Sequence, residues 1–301
     1  MNAPTSQLPA SRMAVWFTAI RPKTLIAAIA PVGLGTALAV DAGGFHMWSA
    51  LCALAGALLI QIGTNLSNDY VDYLKGADTE ERKGPLRVTQ AGLVEPGSIR
   101  RATILAFTLA FLCGLYLIWR GGWPILVIGL CSILAGVLYT TGRYSLAYLG
   151  LGDLFVLVFF GPVAVGGTYY VQVGTVNTVV LVAGLTTGLL ATAILLVNNI
   201  RDVEEDRAAG KKTLVVRFGK SFGIGLWTCC VVVAALIPLE LLVATGAHRW
   251  AAVSVLILIP ALHVFERLRN EADPAALNPM LGKTALILLA HTVLFSIGWM
   301  L

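Results

Sequence analysis

Charged residues are scarce in this chain. Asp, Glu, Lys and Arg make up only 12% of its 301 residues, whereas hydrophobic residues make up 57%. A soluble domain carries roughly 25% charged residues, so a wholly aqueous fold is excluded. The five cysteines have no metal-type spacing and lie in apolar stretches, which is typical of small residues in a membrane core.

Long apolar stretches recur instead, and each has the ~17 residues that a helix needs to cross a bilayer. Their hydropathy does not alternate as in barrel strands, so the predicted class is all-α. The predicted spans lie at about 24–40, 47–67, 102–119, 123–141, 146–170, 176–199, 222–245, 250–268 and 281–301. We expect one polytopic membrane domain, 1–301, of about nine transmembrane helices, with a polar N-terminal tail at 1–15 that lacks the features of a removed signal peptide.

The basic residues predict the orientation. When the loops between nine spans are assigned to alternate sides, all but two of the 21 Lys and Arg residues share one side, the exceptions being Arg120 and Arg249. The positive-inside rule places that side and the N-terminus in the cytoplasm of a bacterial cell membrane, and the C-terminus outside. The net charge of +5 therefore calls for no nucleic acid, and some of these residues will contact membrane lipid headgroups.

Acidic and amide side chains cluster where predicted spans 2 and 6 end. In the first cluster Asn65, Asp69 and Asp72 are spaced i, i+4 and i+7, which places them on one face of a helix. In the second, Asn198, Asp202 and Asp206 are spaced i, i+4 and i+8. Each cluster ends the second helix of a set of four, which predicts two four-helix halves plus one helix.

Carboxylate and amide oxygens are suited to Mg²⁺, which commonly bridges to substrate phosphates. The alternative is that the clusters are merely solvated helix ends. We predict that a facing pair of clusters holds Mg²⁺ against a diphosphate through Asn68, Asp69, Asp72, Asp202 and Asp206.

Basic residues near the clusters would bind phosphate oxygens and stabilise a departing diphosphate, although surface charge alone also explains each of them. The predicted diphosphate-binding residues are Lys23, Arg82, Lys83, Arg87, Arg143, Lys211 and Lys212.

At these residues the chain resembles the UbiA superfamily of intramembrane prenyltransferases over nearly its whole length. The family motif N-D-x-x-D-x-x-x-D matches at Asn68, Asp69 and Asp72, but Gly76 occupies its last position and the next aspartate is Asp78. This displacement resembles the 1,4-dihydroxy-2-naphthoate branch of the superfamily.

The second family motif, D-x-x-x-D followed by Gly-Lys-x-Thr-Leu, matches at Asp202, Asp206 and 210–214. The Y-P-x-x-K segment of hydroxybenzoate enzymes matches only at Tyr139 and Arg143, which weakens that assignment.

The resemblance implies Mg²⁺-dependent transfer of a polyprenyl group from polyprenyl diphosphate to 1,4-dihydroxy-2-naphthoate. Carbon dioxide and diphosphate would leave, and demethylmenaquinone would form on the route to menaquinone. The implied catalytic residues are Asp69, Asp72, Asp202, Asp206 and Arg143.

We expect the aromatic acceptor to contact Asn65, Tyr139, Asp153 and Asn198, where Asp153 either orients the ring or pairs with Arg143. An ionisable residue inside a span is a functional candidate. The alternatives are another acceptor, such as 4-hydroxybenzoate, homogentisate or a haem precursor, and a cation transporter whose aspartates bind the transported ion.

Overall fold

The computed structural model describes residues 11–76, 84, 86–139 and 145–301. Within these ranges the chain forms helices and turns without a strand, as the sequence predicts. The principal helices are α1 (Arg12–Ile20), α2 (Pro22–Asp41), α3 (Met47–Lys75), α4 (Pro96–Gly121), α5 (Trp123–Leu138), α6 (Gly152–Val173), α7 (Thr178–Arg201), α8 (Lys220–Thr245), α9 (Arg249–Asn270) and α10 (Pro274–Met300).

Among the described residues, eight helices are long and apolar enough to span a membrane, and α5 is a shorter apolar helix of 16 residues. Together they correspond to the nine predicted spans, so the prediction of a polytopic helical bundle is confirmed. Trp119 and Trp123, which are 78% and 75% exposed, flank the turn between α4 and α5. Exposed tryptophans at helix ends are typical of a membrane–water interface.

The spans form a closed ring. Each helix from α2 to α9 packs against the next one along the chain, and α10 closes the ring by packing against α2. Helix α2 also contacts α6 and α7. The start of α2 therefore lies between the ends of α3 and α7, the two helices that carry the acidic clusters.

Glycines let α6 and α7 approach closely. A Cβ atom on Gly161 would lie 3.0 Å from the carbonyl oxygen of Gly184 and 3.1 Å from the Cα of Gly188. Helix α6 is irregular here, because Gly161 has a non-helical φ and ψ and Pro162 follows it within a π-helical turn. This packing fixes the first turn of α6 beside the last turns of α7.

Helix-terminal residues define where the functional segments begin and end. Pro22 occupies the first turn of α2, where its missing N–H costs no hydrogen bond. Gly76 ends α3 in a left-handed conformation, with a φ of 60°. Gly76 stands where the family motif has its last aspartate. In this chain the position therefore ends a helix and supplies no carboxylate.

Candidate active site

A polar cavity of about 450 Å³ opens at one end of the bundle. Its walls come from the start of α2, the end of α3, the start of α6, the end of α7 and the loop before α8. The acidic and basic residues that line it are Arg21, Lys23, Asp72, Arg87, Asp153, Arg201, Asp202, Asp206 and Lys211. The structure thus brings both acidic clusters and five basic residues to a single cavity.

In the first cluster, Asn68 and Asp72 line the cavity and are one helical turn apart on α3. Asp72 is only 3% exposed. Its Oδ2 accepts a hydrogen bond of 2.7 Å from Arg87 Nη2, and the two side chains form a buried ion pair. Burial strengthens such a pair because little water screens the two charges.

Asp69 is placed differently from the prediction. Its Oδ2 and Oδ1 accept hydrogen bonds from the backbone N–H groups of Val88 and Thr89, at 3.3 and 3.2 Å. Asp69 does not line the polar cavity. The residues of α3 that line the polar cavity are therefore Asn68 and Asp72. Asn65 and Asp69, which the spacing placed on the same face as Asp72, do not line it. In this structure Asp69 holds the segment that carries Arg87.

In the second cluster, Asn198, Asp202 and Asp206 all line the cavity, as their spacing predicts. Both carboxylate oxygens of Asp202 accept hydrogen bonds from Arg201, at 2.6 Å from Nε and 2.7 Å from Nη2. Arg201 is 3% exposed and also donates from Nη1 to Asn278 Oδ1 on α10, at 2.8 Å.

Arg201 was not among the predicted site residues. The only feature of the sequence that could have pointed to Arg201 is its position beside Asp202. Sequential residues on a helix point about 100° apart, which disfavours a contact, but α7 ends at Arg201 and Asp202 caps it outside the regular helix. The departure from helical geometry allows the bidentate pair.

Asp206 pairs with Lys211, whose Nζ lies 2.9 Å from Asp206 Oδ1. Burial opposes the positive charge of Lys211, but the neighbouring Asp206 carboxylate outweighs it and raises the pKa of Lys211 above its ordinary value. Lys211 therefore remains protonated at neutral pH and is available as a phosphate-binding cation.

Asp153 lines the cavity from the first turn of α6 and is 6% exposed. Its Oδ1 accepts a long hydrogen bond of 3.4 Å from Asn199 Nδ2 on α7. The alternative partner, Arg143, lies outside the described residues, as do Asp78, Arg82 and Lys83.

Two other predicted basic residues differ in position. Lys23 is exposed and lines the cavity. Lys212 is exposed and does not line it; its carbonyl oxygen packs against Gly150, whose φ is +75°. A side chain on Gly150 would collide with that carbonyl, so the glycine permits the loop that carries Lys211 to approach α6.

An apolar cavity of about 370 Å³ adjoins the polar one. It is enclosed by residues of helices α2 to α7, and most of the lining side chains are aliphatic or aromatic. Six residues line both cavities, and we call them the junction: Arg21, Thr24, Asn68, Tyr139, Leu195 and Asn198. Of the predicted acceptor residues, Tyr139 and Asn198 belong to the junction, whereas Asn65 lines only the apolar cavity and Asp153 only the polar one.

The donor atoms of the polar cavity fit Mg²⁺ that binds together with a diphosphate. Within the described residues, no three His, Cys, Asp or Glu side chains form a metal centre by themselves. Asn68, Asp72, Asp202 and Asp206 nevertheless direct hard oxygen donors to one cavity. Mg²⁺ commonly takes one or two carboxylates, and water and substrate phosphates complete its coordination.

Comparison with known proteins agrees with this architecture. The model of the UbiA prenyltransferase family matches residues 28–292. The 1,4-dihydroxy-2-naphthoate octaprenyltransferase of Escherichia coli (strain K12) is 39% identical over 295 residues, which cover 96% of each chain. The enzyme of the same name from Haemophilus influenzae is 37% identical over 297 residues, which cover 95% of this chain and 96% of the relative.

The fold is also found in solved structures. A UbiA homologue from Archaeoglobus fulgidus, bound to DMAPP and Mg²⁺, superposes with a TM-score of 0.60 at 15% identity and covers 94% of this chain and 99% of that one.

Proposed function

The chain belongs to the UbiA prenyltransferase family, and from this premise we propose that it transfers a polyprenyl group from polyprenyl diphosphate to 1,4-dihydroxy-2-naphthoate. Two relatives that are 37–39% identical to this chain over nearly its whole length are named for that activity. The products would be demethylmenaquinol, the reduced form of demethylmenaquinone, together with carbon dioxide and diphosphate.

One observation carries the proposal, namely that a polar and an apolar cavity meet at a junction. Polyprenyl diphosphate has a highly charged head and a long hydrocarbon tail. The polar cavity offers carboxylates and cations for a metal-bound diphosphate, and the apolar cavity offers a hydrocarbon lining for the first isoprene units. The bond that reacts, between head and tail, then lies at the junction.

Three of the five basic residues of the polar cavity form ion pairs with its carboxylates: Arg87 with Asp72, Arg201 with Asp202, and Lys211 with Asp206. Mg²⁺ would be held by Asn68, Asp72, Asp202 and Asp206, and when bound it neutralises charge on the leaving diphosphate. Arg87, Lys211 and Lys23 would bind phosphate oxygens. The arrival of a metal cation with a diphosphate anion thus exchanges one set of ion pairs for another without leaving a buried charge unpaired.

In the reaction, the allylic C–O bond breaks and its electron pair leaves on the diphosphate. The ring carbon that bears the carboxylate forms a C–C bond to the allylic carbon. The bond between this ring carbon and the carboxylate carbon then breaks, so that the carboxylate departs as carbon dioxide and the electron pair of the broken bond restores the aromatic ring. The apolar lining around the junction excludes water, which would otherwise capture the allylic cation.

The protein is a multi-pass membrane protein, and we infer that the polar cavity faces the cytoplasm of a bacterial cell. Among the described residues, its end of the bundle carries Lys23, Lys75, Arg87, Arg201 and Lys211, whereas the opposite end carries Arg120 and Arg249. This asymmetry follows the positive-inside rule.

An acceptor assay tests the function. Purified protein in detergent would receive polyprenyl diphosphate, Mg²⁺ and one aromatic compound at a time, with EDTA in a parallel reaction. We expect prenylated naphthoate product that EDTA abolishes. Prenylation of 4-hydroxybenzoate or homogentisate in its place would overturn the acceptor assignment.

The transporter alternative is tested in liposomes. Transporter sites usually lie near the membrane midplane, whereas both clusters lie at one end of the bundle. We expect no Mg²⁺ flux; flux without transferase activity would overturn the proposal.

A further inference from the structure

Arg21 has an unusual backbone for its residue type. It ends α1 and precedes α2 with a φ of 57° and a ψ of 69°, in the left-handed region. Non-glycine residues rarely occupy this region, and those that do cluster at functional sites. Within the described part of the chain, only His248 shares a positive φ without being glycine, and it lies at the opposite end of the bundle.

Neighbouring groups hold this backbone in place. The N–H of Arg21 donates to the carbonyl of Phe17 at 3.2 Å, and its own carbonyl accepts from the N–H and the hydroxyl of Thr24, both at 2.9 Å. Asn65 on α3, only 4% exposed, donates from Nδ2 to Ile20 O at 2.8 Å and to Thr24 Oγ1 at 2.9 Å. A buried amide from another helix thus fixes the residues on both sides of Arg21.

Arg21 lies where the two cavities meet. Of the described residues that form the junction, Arg21 is the only cation; the others are Thr24, Asn68, Tyr139, Leu195 and Asn198. By contrast, Arg87, Arg201 and Lys211 line the polar cavity alone. A cation at the junction is suited to an anionic group that belongs beside the reacting carbon.

The aromatic acceptor of the proposed reaction has such a group. Its carboxylate must reach the junction, because the ring carbon that bears it attacks the allylic carbon. A guanidinium group binds a carboxylate through two parallel hydrogen bonds, which fix the orientation as well as the position of the ligand. Tyr139 at the same junction offers an aromatic surface to the ring.

We propose that Arg21 binds the carboxylate of the aromatic acceptor at the junction, and that Asn65 acts as its positioning residue. This inference rests on the proposed function and identifies the group that selects a carboxylated ring. It also gives a reason for arginine at a position where glycine would be the least strained residue.

Substitution by glycine separates the side chain from the backbone requirement. Arg21→Gly keeps the left-handed conformation available and removes the side chain with its guanidinium group. We expect the KM for 1,4-dihydroxy-2-naphthoate to rise about 10- to 100-fold, the range for loss of a charged hydrogen-bonded pair. The KM for polyprenyl diphosphate should stay within about twofold, and the melting temperature should not fall.

His248→Gly is the matched control, because it changes the other positive-φ residue to glycine far from both cavities. It should leave both KM values unchanged. An unchanged acceptor KM in Arg21→Gly, or a rise only in the KM for polyprenyl diphosphate, would overturn the inference. If the wild-type protein prenylates no naphthoate at all, the proposed function itself has failed.

Two inhibitors test carboxylate recognition directly. We expect 1-hydroxy-2-naphthoate to inhibit the wild-type enzyme about 10-fold or more strongly than 1-naphthol, which lacks the carboxylate. This preference should disappear in Arg21→Gly. Equal weakening of both inhibitors would instead indicate a general distortion and contradict a carboxylate contact.

A double-mutant cycle tests the role of Asn65. Asn65→Ala should raise the acceptor KM in the wild-type background and have little further effect in Arg21→Gly, because a positioning residue acts only through the group that it positions. Additive effects of the two substitutions would show that Asn65 acts independently of Arg21.

Discussion

At the end of α3, Asp72 pairs with Arg87, which lies 15 residues further along the chain, whereas at the end of α7 Asp202 pairs with its immediate neighbour Arg201. The first pair requires the segment around Val88 to dock on α3, and Asp69 holds that segment by two backbone hydrogen bonds. In the second cluster the cation that pairs with each carboxylate is local, since Lys211 is five residues from Asp206, although Arg201 also donates to Asn278 on α10. The ion pair of the first cluster therefore depends on a distant segment, whereas the ion pairs of the second cluster form between residues close in sequence.

The largest expected effect comes from removing the carboxylates that line the cavity. The two clusters should be equally sensitive to this change. Asp72→Asn, Asp202→Asn and Asp206→Asn should each lower kcat by about 100-fold or more, since each loses a charged ligand for the metal-bound diphosphate. Initial rates at saturating Mg²⁺ measure the effect, and a cooperative melting transition shows that each variant is folded. Near-normal rates in two of the three variants would contradict a shared site.

A second comparison concerns the cations. Arg87→Gln leaves Asp72 buried without its partner and should lower the free energy of unfolding by about 3 kcal/mol or more. Lys211→Gln should lower it by only about 1 kcal/mol, because the Lys211 side chain is 21% exposed, compared with 7% for Arg87. Melting temperatures in one detergent test the order of the two variants. Equal losses would show that the distant and the local pair are equally coupled to the fold.

The third comparison is within the first cluster. Asp69→Asn should lower the rate by about 10-fold, less than Asp72→Asn, since it weakens two hydrogen bonds that hold a loop. Hydrogen exchange at the amides of Val88 and Thr89 should become faster, with Asp206→Asn as the unaffected control. Unchanged exchange together with a rate loss as large as that of Asp72→Asn would instead support a direct metal role for Asp69.

The smallest effect is expected for an exposed ion pair close in sequence to the second cluster. Arg207 pairs with Glu204, but these side chains are 53% and 71% exposed. Arg207→Gln should change stability by less than about 0.5 kcal/mol and leave the rate unaltered, because water screens an exposed pair. A measurable loss of rate would extend the functional cluster to a surface that the cavity does not reach.

Hydropathy and charge predicted the spans well, because the length and composition of a membrane helix are set by the bilayer and can be seen in the local sequence. The facing of Asp69 could not be predicted in this way. Asn68 and Asp69 are adjacent, and either one can be combined with Asp72 into a single helix face. The choice depends on which side the loop around Val88 and Thr89 covers, and that contact spans about 20 residues of sequence.

The same limit applies to Arg21. Its charge was visible in the segment Arg21-Pro22-Lys23, but nothing local predicts a left-handed arginine, since Asn65, more than 40 residues away, supplies the hydrogen bonds that hold its neighbours. The residues proposed to bind the diphosphate were suggested by composition and spacing. Those that position them were not, because positioning is done by contacts between distant helices.

The junction between the two cavities also bears on reversal of the reaction. In the proposed reaction the two large products would have opposite solvent preferences: the prenylated ring would partition through the apolar cavity towards lipid, and the diphosphate through the polar cavity towards water. Re-forming the substrates would require both to return from different phases and to recapture carbon dioxide. Under the proposed function, a site that joins an apolar and a polar cavity would therefore oppose reversal of the transfer.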